Sequence, residues 1–278
     1  MVAHLVWDQR VAGSNPATPT IMKNFKISII KIIITIGSKT LLGRGFIRKL
    51  LIKIIENILN TINFDKSKPL FKSNFHGFKI YFYADDQTGL KLYFQRNENK
   101  ELNFLKKNIH NNSWFIDIGS NIGLYSLVVA NLNSRKKKIK TLSIEPNPIS
   151  FNRLSKNFNL LSIQNKLAKK RSFLSNCAIG GKNGYGYIDT TINHENVKIL
   201  KKYNIKKKNR KKVKINKIIF LIKKYKIKNI SCLKIDTEGS ENIILISFFN
   251  TINKLNFPKF LIIEHNNDPN YNKIDKFI

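Results

Sequence analysis

Acidic residues are scarce in this chain, which has 17 Asp and Glu against 50 Lys and Arg in 278 residues. The formal charge of +33 would ordinarily favour a polyanion or an anionic membrane as partner. Lys, Ile and Asn are spread over the whole sequence, however, as an A/T-rich coding sequence would give. Much of the basicity therefore reflects composition, and charge alone does not lead us to expect nucleic acid as a partner.

Cysteine and long apolar runs are also rare, and each absence excludes a class of protein. The only cysteines, Cys177 and Cys232, belong to no C-x-x-C pattern, so they indicate neither a disulfide framework nor a zinc site. We expect two small buried side chains in a cytoplasmic protein. The most apolar stretch, residues 29–36, is too short to predict a membrane span.

The N-terminal part is predicted to form two regions. Residues 1–21 contain no lysine and no apolar run of the kind that a signal peptide needs, so we expect a non-native or disordered leader, with translation starting at Met22. Residues 22–74 are predicted to be a basic helical extension, because apolar side chains in residues 46–59 recur at helical spacing between Lys and Arg. These helices would pack onto the main domain or, as the alternative, make peripheral contact with an anionic membrane.

The main domain, residues 75–278, is predicted to begin with a β-hairpin. Residues 75–96 alternate aromatic and polar side chains around Asp85-Asp86-Gln87-Thr88-Gly89, a pattern that favours two antiparallel strands and a turn. Strand and helix patterns then alternate, with a helix over residues 152–161 and a third strand over residues 173–179. This alternation predicts a parallel α/β sheet flanked by helices.

One segment, residues 114–130, predicts a strand, a glycine turn and a helix in succession. Gly119 would allow a sharp exit from the strand, and Gly123 would let the helix approach closely. A second predicted strand ends at Glu145, whose carboxylate could accept hydrogen bonds from both hydroxyls of a ribose. The combination indicates a site for a nucleoside-bearing cofactor.

The glycine turn distinguishes between two cofactors. A dinucleotide-binding site requires the motif G-x-G-x-x-G, so that backbone without side chains can approach the pyrophosphate. This turn reads G-S-N-I-G and has the side chain of Asn121 at that place. A site for S-adenosylmethionine instead needs an acidic residue before the turn, a loop that holds the methionine part, and an acidic residue after the next strand that binds the ribose. The predicted cofactor-binding residues are Asp117, Gly119, Ser120, Asn121, Gly123 and Glu145, together with Ala178 beside the adenine.

Four runs carry a resemblance to a known family: F-I-D-I-G-S-N-I-G-L-Y-S-L at residues 115–127, I-E-P-N-P-I-S-F-N-R-L at 144–154, L-K-I-D-T-E-G-S-E at 233–241 and I-I-E-H at 262–265. In order and spacing they are similar to FkbM-type class I S-adenosylmethionine-dependent methyltransferases. The resemblance covers residues 76–278. It implies a Rossmann-like sheet, S-adenosyl-L-methionine as cofactor, and O-methylation of a hydroxyl on a saccharide, a lipid-linked glycan or a secondary metabolite.

The ends of the fourth and fifth predicted strands supply the catalytic candidates. A hydroxyl is a weak nucleophile, so methyl transfer benefits from a base that takes its proton while the acceptor is held in line. We predict Asp236 or Glu238 as this base or as the residue that orients the acceptor, with Glu264 and His265 as a second pair. The same four side chains could gather around a metal, but neither their spacing nor the resemblance requires one, so no metal is predicted.

Two other functions stay open. RNA methylation would use the basic charge, yet a base-methylating enzyme would show Asp/Asn-Pro-Pro-aromatic where this chain has I-D-T-E-G. Residues 196–235 are rich in basic residues and contain no acidic residue. Their basic and aromatic residues do not alternate, however, as they would in a groove that binds single-stranded nucleic acid. The other alternative is a truncated, inactive binding protein. Only 13 residues follow His265, where the class continues through a helix and two more strands, and their loss would leave an open sheet edge.

Overall fold

The structure, a computed structural model, describes residues 17–39, 45–65, 68–95, 100–189, 210–237 and 239–263. The chain divides into two compact units, residues 1–65 and residues 66–278. The division falls ahead of residue 75, where the sequence predicted the main domain to begin. Each unit is described by itself below.

The described part of the first unit consists of two helices, α1 (Ala17–Lys39) and α2 (Gly45–Thr61), which contact each other. Their buried apolar side chains recur at helical spacing, which is why the sequence forms a helix pair with one shared inner face. These side chains are Ile30 and Ile34 of α1 and Ile55 and Leu59 of α2. Neither of these helices, nor any other helix in the described ranges, is long and apolar enough to cross a membrane.

The second unit alternates strands and helices through most of its length. In chain order its elements are β1 (Pro69–Phe75), β2 (Phe78–Tyr83), α3 (Gln87–Gln95), α4 (Lys100–Asn108), β3 (Ser113–Ile118), α5 (Leu124–Asn131), β4 (Ile139–Ile144), α6 (Pro148–Gln164), α7 (Lys166–Arg171), β5 (Ser172–Ser175), β6 (Ala178–Ile179), β7 (Gly184–Asp189), β8 (Arg210–Asn216), α8 (Ile218–Lys224), β9 (Ile230–Ile235), α9 (Glu241–Phe249), a short 3-10 helix (Lys254–Asn256) and β10 (Phe260–Ile263).

The central sheet contains five parallel strands in the order β10-β9-β3-β4-β5. Every residue of β3 and β9 is buried, as expected for strands covered by helices on both faces. One core cluster joins Ile116 of β3 and Leu233 of β9 to Ile244 of α9. The architecture is a Rossmann-like α/β sheet flanked by helices, which confirms the fold class predicted from the sequence.

The hairpin predicted over residues 75–96 is wrong in its position. β1 and β2 pair antiparallel and turn at His76 and Gly77, whose φ angles of +49° and +92° are both left-handed. The predicted turn instead begins α3, because Asp86 accepts the backbone N–H of Gly89 at 3.0 Å in the manner of a helix-capping residue. Helically spaced side chains of α3 are buried, so tertiary packing overrides the alternating pattern. They include Leu90, Tyr93 and Phe94.

The third strand predicted over residues 173–179 is divided between two sheets. β5 joins the central sheet, whereas β6 pairs with β8 in a second sheet of order β6-β8-β7. Between them, Asn176 donates from Nδ2 to the carbonyl oxygens of Glu145 at 2.8 Å and Pro146 at 3.2 Å. These side-chain bonds hold the chain where the strand leaves the central sheet, and they explain why one continuous strand was the wrong prediction.

Candidate cofactor and acceptor site

A cavity of about 350 Å³ lies at the carboxyl ends of β3, β4 and β9. The chain proceeds from β3 to β4 and β5 on one side and later returns to β9 and β10 on the other, so the strand order reverses here. Ligands of open α/β sheets bind at such a point, and the volume is typical of small-molecule sites. Polar side chains in the wall include Ser120, Asn121, Glu145, Lys234 and Asp236.

The glycine turn after β3 packs directly against the loop after β9. Gly119 has a φ of +79°, and a Cβ there would overlap the backbone carbonyl oxygen of Asp236. Glycine is therefore required both by the left-handed backbone and by the lack of space. The next residue, Ser120, is 6% exposed, and its Oγ has no hydrogen-bond partner among the described atoms. A buried hydroxyl in a cavity wall can bond to a ligand.

Asn121 connects this turn to the segment before α3. Its φ is +48°, a left-handed conformation that Asn adopts more readily than most residues. Its Nδ2 donates to Oδ1 of Asp86 at 3.3 Å, and Asp86 is 2% exposed. The sequence pattern predicted a hairpin turn at Asp86, and it did not indicate this contact. An Asp directly before an apolar helical pattern was the available signal.

Glu145 follows β4 and is held by two backbone hydrogen bonds. Oε2 accepts from the N–H of Asn121 at 2.9 Å, and Oε1 accepts from the N–H of Asn147 at 2.8 Å. A carboxylate offers about four lone-pair sites, so further sites remain for the hydroxyls of a ligand. Burial raises the pKa of Glu145 to about 7, even though the two N–H bonds favour the ionised form.

Three charged side chains lie in a row beside the cavity: Asp117, Lys234 and Asp236. Nζ of Lys234 is 2.9 Å from Oδ2 of Asp236 and 3.7 Å from Oδ1 of Asp117. Asp117 is 1% exposed and also accepts a bond from Oγ of Ser126 at 2.7 Å. Burial raises the pKa of Asp117, whereas the Lys234 cation and the Ser126 bond act in the opposite direction. The side chain of Asp236 is 40% exposed and so is the accessible end of the row.

Glu241, which is not among the site residues predicted from the sequence, organises the loop that carries Asp236. It is 3% exposed, and its carboxylate accepts the N–H of Thr237 at 2.8 Å, the hydroxyl of Thr237 at 3.0 Å and the N–H of Gly239 at 3.0 Å. Removing the carboxylate would leave these donors without their acceptor. The available signal was an acid at the start of the apolar run at residues 243–246, two residues after a glycine.

The predicted site residues fall into three groups. The cavity wall includes Gly119, Ser120, Asn121, Glu145, Ala178 and the catalytic candidate Asp236. Two predicted cofactor residues are not among the described lining. Asp117 belongs to the charged row, and Gly123 packs against Leu154 of α6, whose side chain a Cβ would overlap. The other catalytic candidates lie outside the described residues: Glu238, Glu264 and His265. In the described ranges, no cluster of three His, Cys, Asp or Glu side chains could hold a metal.

The sheet order, the glycine turn and the cavity at the reversal of the strand order define a Rossmann-like α/β protein with a cavity where open sheets of this kind bind their ligands. A family model described as the methyltransferase FkbM domain matches residues 117–278. The chain therefore belongs to the FkbM methyltransferase family, and the resemblance found in the sequence is confirmed.

One solved structure adds a distant likeness. The crystal structure of methyltransferase FkbM from Methylobacillus flagellatus KT is 13% identical to this chain, with a TM-score of 0.35. The match covers 75% of this chain and 46% of that one, so the chain matches about half the length of that protein. No curated protein matches the sequence.

Proposed function

We propose that the protein is an S-adenosylmethionine-dependent O-methyltransferase that acts on a hydroxyl of a saccharide, a lipid-linked glycan or a secondary metabolite. The observation that carries the proposal is that Glu145, the Gly119 turn and Asp236 border one cavity at the reversal of the strand order. A cofactor pocket and a candidate base are thus within reach of the same small molecule. Membership of the FkbM family supports the methyltransferase activity.

The residues of the cavity fit the proposed cofactor. The carboxylate of Glu145 retains lone pairs for the two ribose hydroxyls, and Oγ of Ser120 is a buried hydroxyl in need of a partner. Gly119 lies in the cavity wall, where its turn could hold the methionine part of the cofactor. When bound, S-adenosylmethionine supplies a methyl group that its sulfonium makes electrophilic.

The chain's own residues would position the acceptor and move its proton. Asp236 would take the proton from the acceptor hydroxyl and hold its oxygen in place for the transfer. Lys234 holds Oδ2 of the Asp236 carboxylate at 2.9 Å and so restricts its orientation, and Asp236 itself lies in the cavity wall. Glu241 fixes the backbone that follows Asp236 through its bonds to Thr237 and Gly239. Lys234 and Glu241 are thus positioning residues for a single base.

Incubation with radiolabelled S-adenosylmethionine and a panel of acceptors tests the proposal. We expect label on saccharide hydroxyls, with S-adenosylhomocysteine formed in equal amount. Label found on RNA bases and not on saccharides would contradict O-methylation. Cofactor binding without transfer to any acceptor of the panel would favour the inactive binding protein.

The raised pKa of Glu145 predicts that S-adenosylmethionine binds more tightly as the pH rises through 7. Ribose hydroxyls donate to the ionised carboxylate, so binding lowers the pKa of Glu145 and releases a proton near neutral pH. We expect the dissociation constant at pH 6 to be roughly three- to tenfold higher than at pH 8. Calorimetry in buffers of different ionisation enthalpy measures the proton release. A constant affinity with no proton released would contradict the role of Glu145.

The raised pKa of Glu145 also affects the stability of the fold, but stability and cofactor affinity change in opposite directions with pH. Between pH 4.5, the ordinary pKa, and about 7, the folded protein binds more protons at Glu145 than the unfolded chain does. The contribution of Glu145 to the free energy of unfolding therefore falls as the pH rises through this window. This contribution is smaller at pH 8 than at pH 4.5, so it cannot be the cause of tighter cofactor binding at pH 8.

We also propose that α1 contacts an anionic membrane surface. Large apolar side chains recur along one side of the helix and remain exposed, with exposed fractions of 57% for Met22, 65% for Phe25, 57% for Ile32 and 47% for Ile36. The helix holds four lysines and no acidic residue, so its charge is complementary to anionic lipid. Such contact would bring the enzyme to a lipid-linked acceptor.

Co-sedimentation with phosphatidylcholine vesicles, with and without phosphatidylglycerol, tests the membrane contact. We expect binding only to the anionic vesicles, and we expect the pair Phe25→Ser and Ile32→Ser to weaken it by at least about tenfold through lost apolar burial. Ile163→Ser is the matched control, because Ile163 is a 77% exposed isoleucine of α6. Equal binding by the α1 variant, or self-association through α1 without vesicle binding, would contradict the proposal.

A further inference from the structure

Strand pairing in the second sheet gathers aromatic and basic side chains that are distant in the sequence. β7 and β8 are antiparallel, with Tyr185 opposite Lys214 and Tyr187 opposite Lys212. Residues opposite each other, and residues two apart on one strand, share a face of the sheet. These four residues therefore form one surface, which we call the Tyr–Lys face. The face brings basic and aromatic residues side by side, an arrangement that is not visible in the linear sequence.

The Tyr–Lys face is accessible and already shows contacts between cations and rings. Tyr185 is 62% exposed, and Nζ of Lys212 lies 4.2 Å from the centre of its ring. Nζ of Lys214 lies 5.7 Å from the ring of Phe220, which is 45% exposed at the start of α8. A large apolar ring left in solvent and bordered by ammonium groups is a surface that a ligand with an apolar side and a negative charge would cover.

The same sheet reaches the cavity. β8, which carries the two lysines of the face, pairs on its other side with β6 through Ala178 and Ile215 and through Ile179 and Asn216. Ala178 and Ile179 are in the cavity wall. Because neighbouring strands are about 4.8 Å apart, β7 lies roughly 10 Å from the strand of the wall. A ligand of two or three rings could span this distance.

The size and chemistry of the face favour a phosphorylated sugar over a nucleic acid. Tyr185 and Tyr187 are two residues apart on one strand, or roughly 7 Å, whereas single-strand grooves follow the backbone for several nucleotides. A phosphate instead accepts bonds from Lys212 and Lys214, while the C–H side of a sugar ring covers the exposed tyrosine.

We propose that the Tyr–Lys face is an acceptor subsite that holds the phosphate or diphosphate of a saccharide whose hydroxyl enters the cavity. The inference rests on the proposed O-methyltransferase function and adds a negatively charged acceptor to it. The phosphate has two sources, since the saccharide can be linked to a nucleotide or to a lipid. Both offer the same group to the lysines, and the experiment below compares them.

Calorimetric titration without the cofactor tests the subsite directly. The probes are uridine diphosphate glucose, a short-chain polyprenyl diphosphate saccharide, and free glucose. We expect a diphosphate probe to bind at least about tenfold more tightly than glucose, and the pair Lys212→Ala and Lys214→Ala to remove that advantage. Preference for one of the two diphosphates identifies the source. Lys224→Ala is the matched control, because Nζ of Lys224 lies 5.1 Å from the ring of Tyr225, outside the face.

Two further measurements keep this inference separate from the proposed function. S-adenosylmethionine binding is titrated on the same samples, and the double lysine variant should retain it. With a phosphorylated acceptor in hand, that variant and Tyr185→Ala should raise KM with little change in kcat. Unchanged diphosphate binding by the double variant would overturn the subsite, as would a single-stranded RNA that binds the face more tightly than the saccharides. If the parent protein does not bind S-adenosylmethionine, the proposed methyltransferase function itself is overturned.

Discussion

Replacement of Asp236 by Asn is expected to lower kcat by about 10²- to 10⁴-fold, the range that a general base contributes. The amide has nearly the shape of the carboxylate, and its oxygen can still accept a bond from Lys234, which lies 2.9 Å from Oδ2 in the parent. It cannot take the proton of an acceptor hydroxyl. We therefore expect S-adenosylmethionine to bind as in the parent protein, so the loss would be confined to the transfer step.

Single-turnover transfer of a labelled methyl group measures this effect once an acceptor is known. Asp236→Glu is the control variant, since it keeps a carboxylate and moves it by one methylene. It should recover part of the lost rate, whereas an uncharged residue should not. Equal rates for the Asn variant and the parent would exclude Asp236 as the base and leave Glu238, Glu264 and His265 as the other predicted candidates.

Replacement of Gly119 by Ala is expected to have the largest effect on the fold and the cavity together. The left-handed φ of +79° costs an alanine about 1–2 kcal/mol, and its Cβ would overlap the carbonyl oxygen of Asp236. Because the Gly119 turn and the Asp236 loop meet through backbone atoms, neither can relieve this overlap without moving the cavity wall. We expect the free energy of unfolding to fall by at least about 3 kcal/mol and S-adenosylmethionine binding to be lost.

Urea unfolding and calorimetry measure the two parts of this prediction. Gly184→Ala is the matched control, because nothing lies within 4 Å of a Cβ at Gly184 and its backbone is not left-handed. We expect the control to change the free energy of unfolding by no more than about 0.5 kcal/mol. A Gly119→Ala variant with parent-like stability and binding would show that the two loops are not packed as described.

The sequence predicted the central sheet because its signals there are local. Buried runs such as residues 114–118 lead into a glycine turn, and that order of strand, turn and helix permits few alternatives. The acid at position 145 follows the next strand, and parallel strands bring such ends to one edge. The cavity at that edge accordingly includes the turn and the acid. The roles assigned to Glu238, Glu264 and His265 stay predictions.

Other features depend on tertiary contacts that no local pattern encodes. Asp86 was read as a hairpin turn, but it caps α3 and reaches Asn121, a partner far along the chain. Lys234 looked like an ordinary strand residue until the sheet placed it between two aspartates. The Tyr–Lys face arises only from the register of β7 against β8. Sequence periodicity determines which side of a strand a residue faces, but not which strand lies beside it.

The central claim, that the cavity binds S-adenosylmethionine through Glu145, is tested most directly by calorimetry on the parent protein and on Glu145→Ala. We predict one site per chain in the parent and an affinity weaker by about 1–3 kcal/mol in the variant, through the lost ribose hydrogen bonds. Circular dichroism confirms that both samples are folded. No binding by a well-folded parent, or equal binding by the variant, would contradict the account.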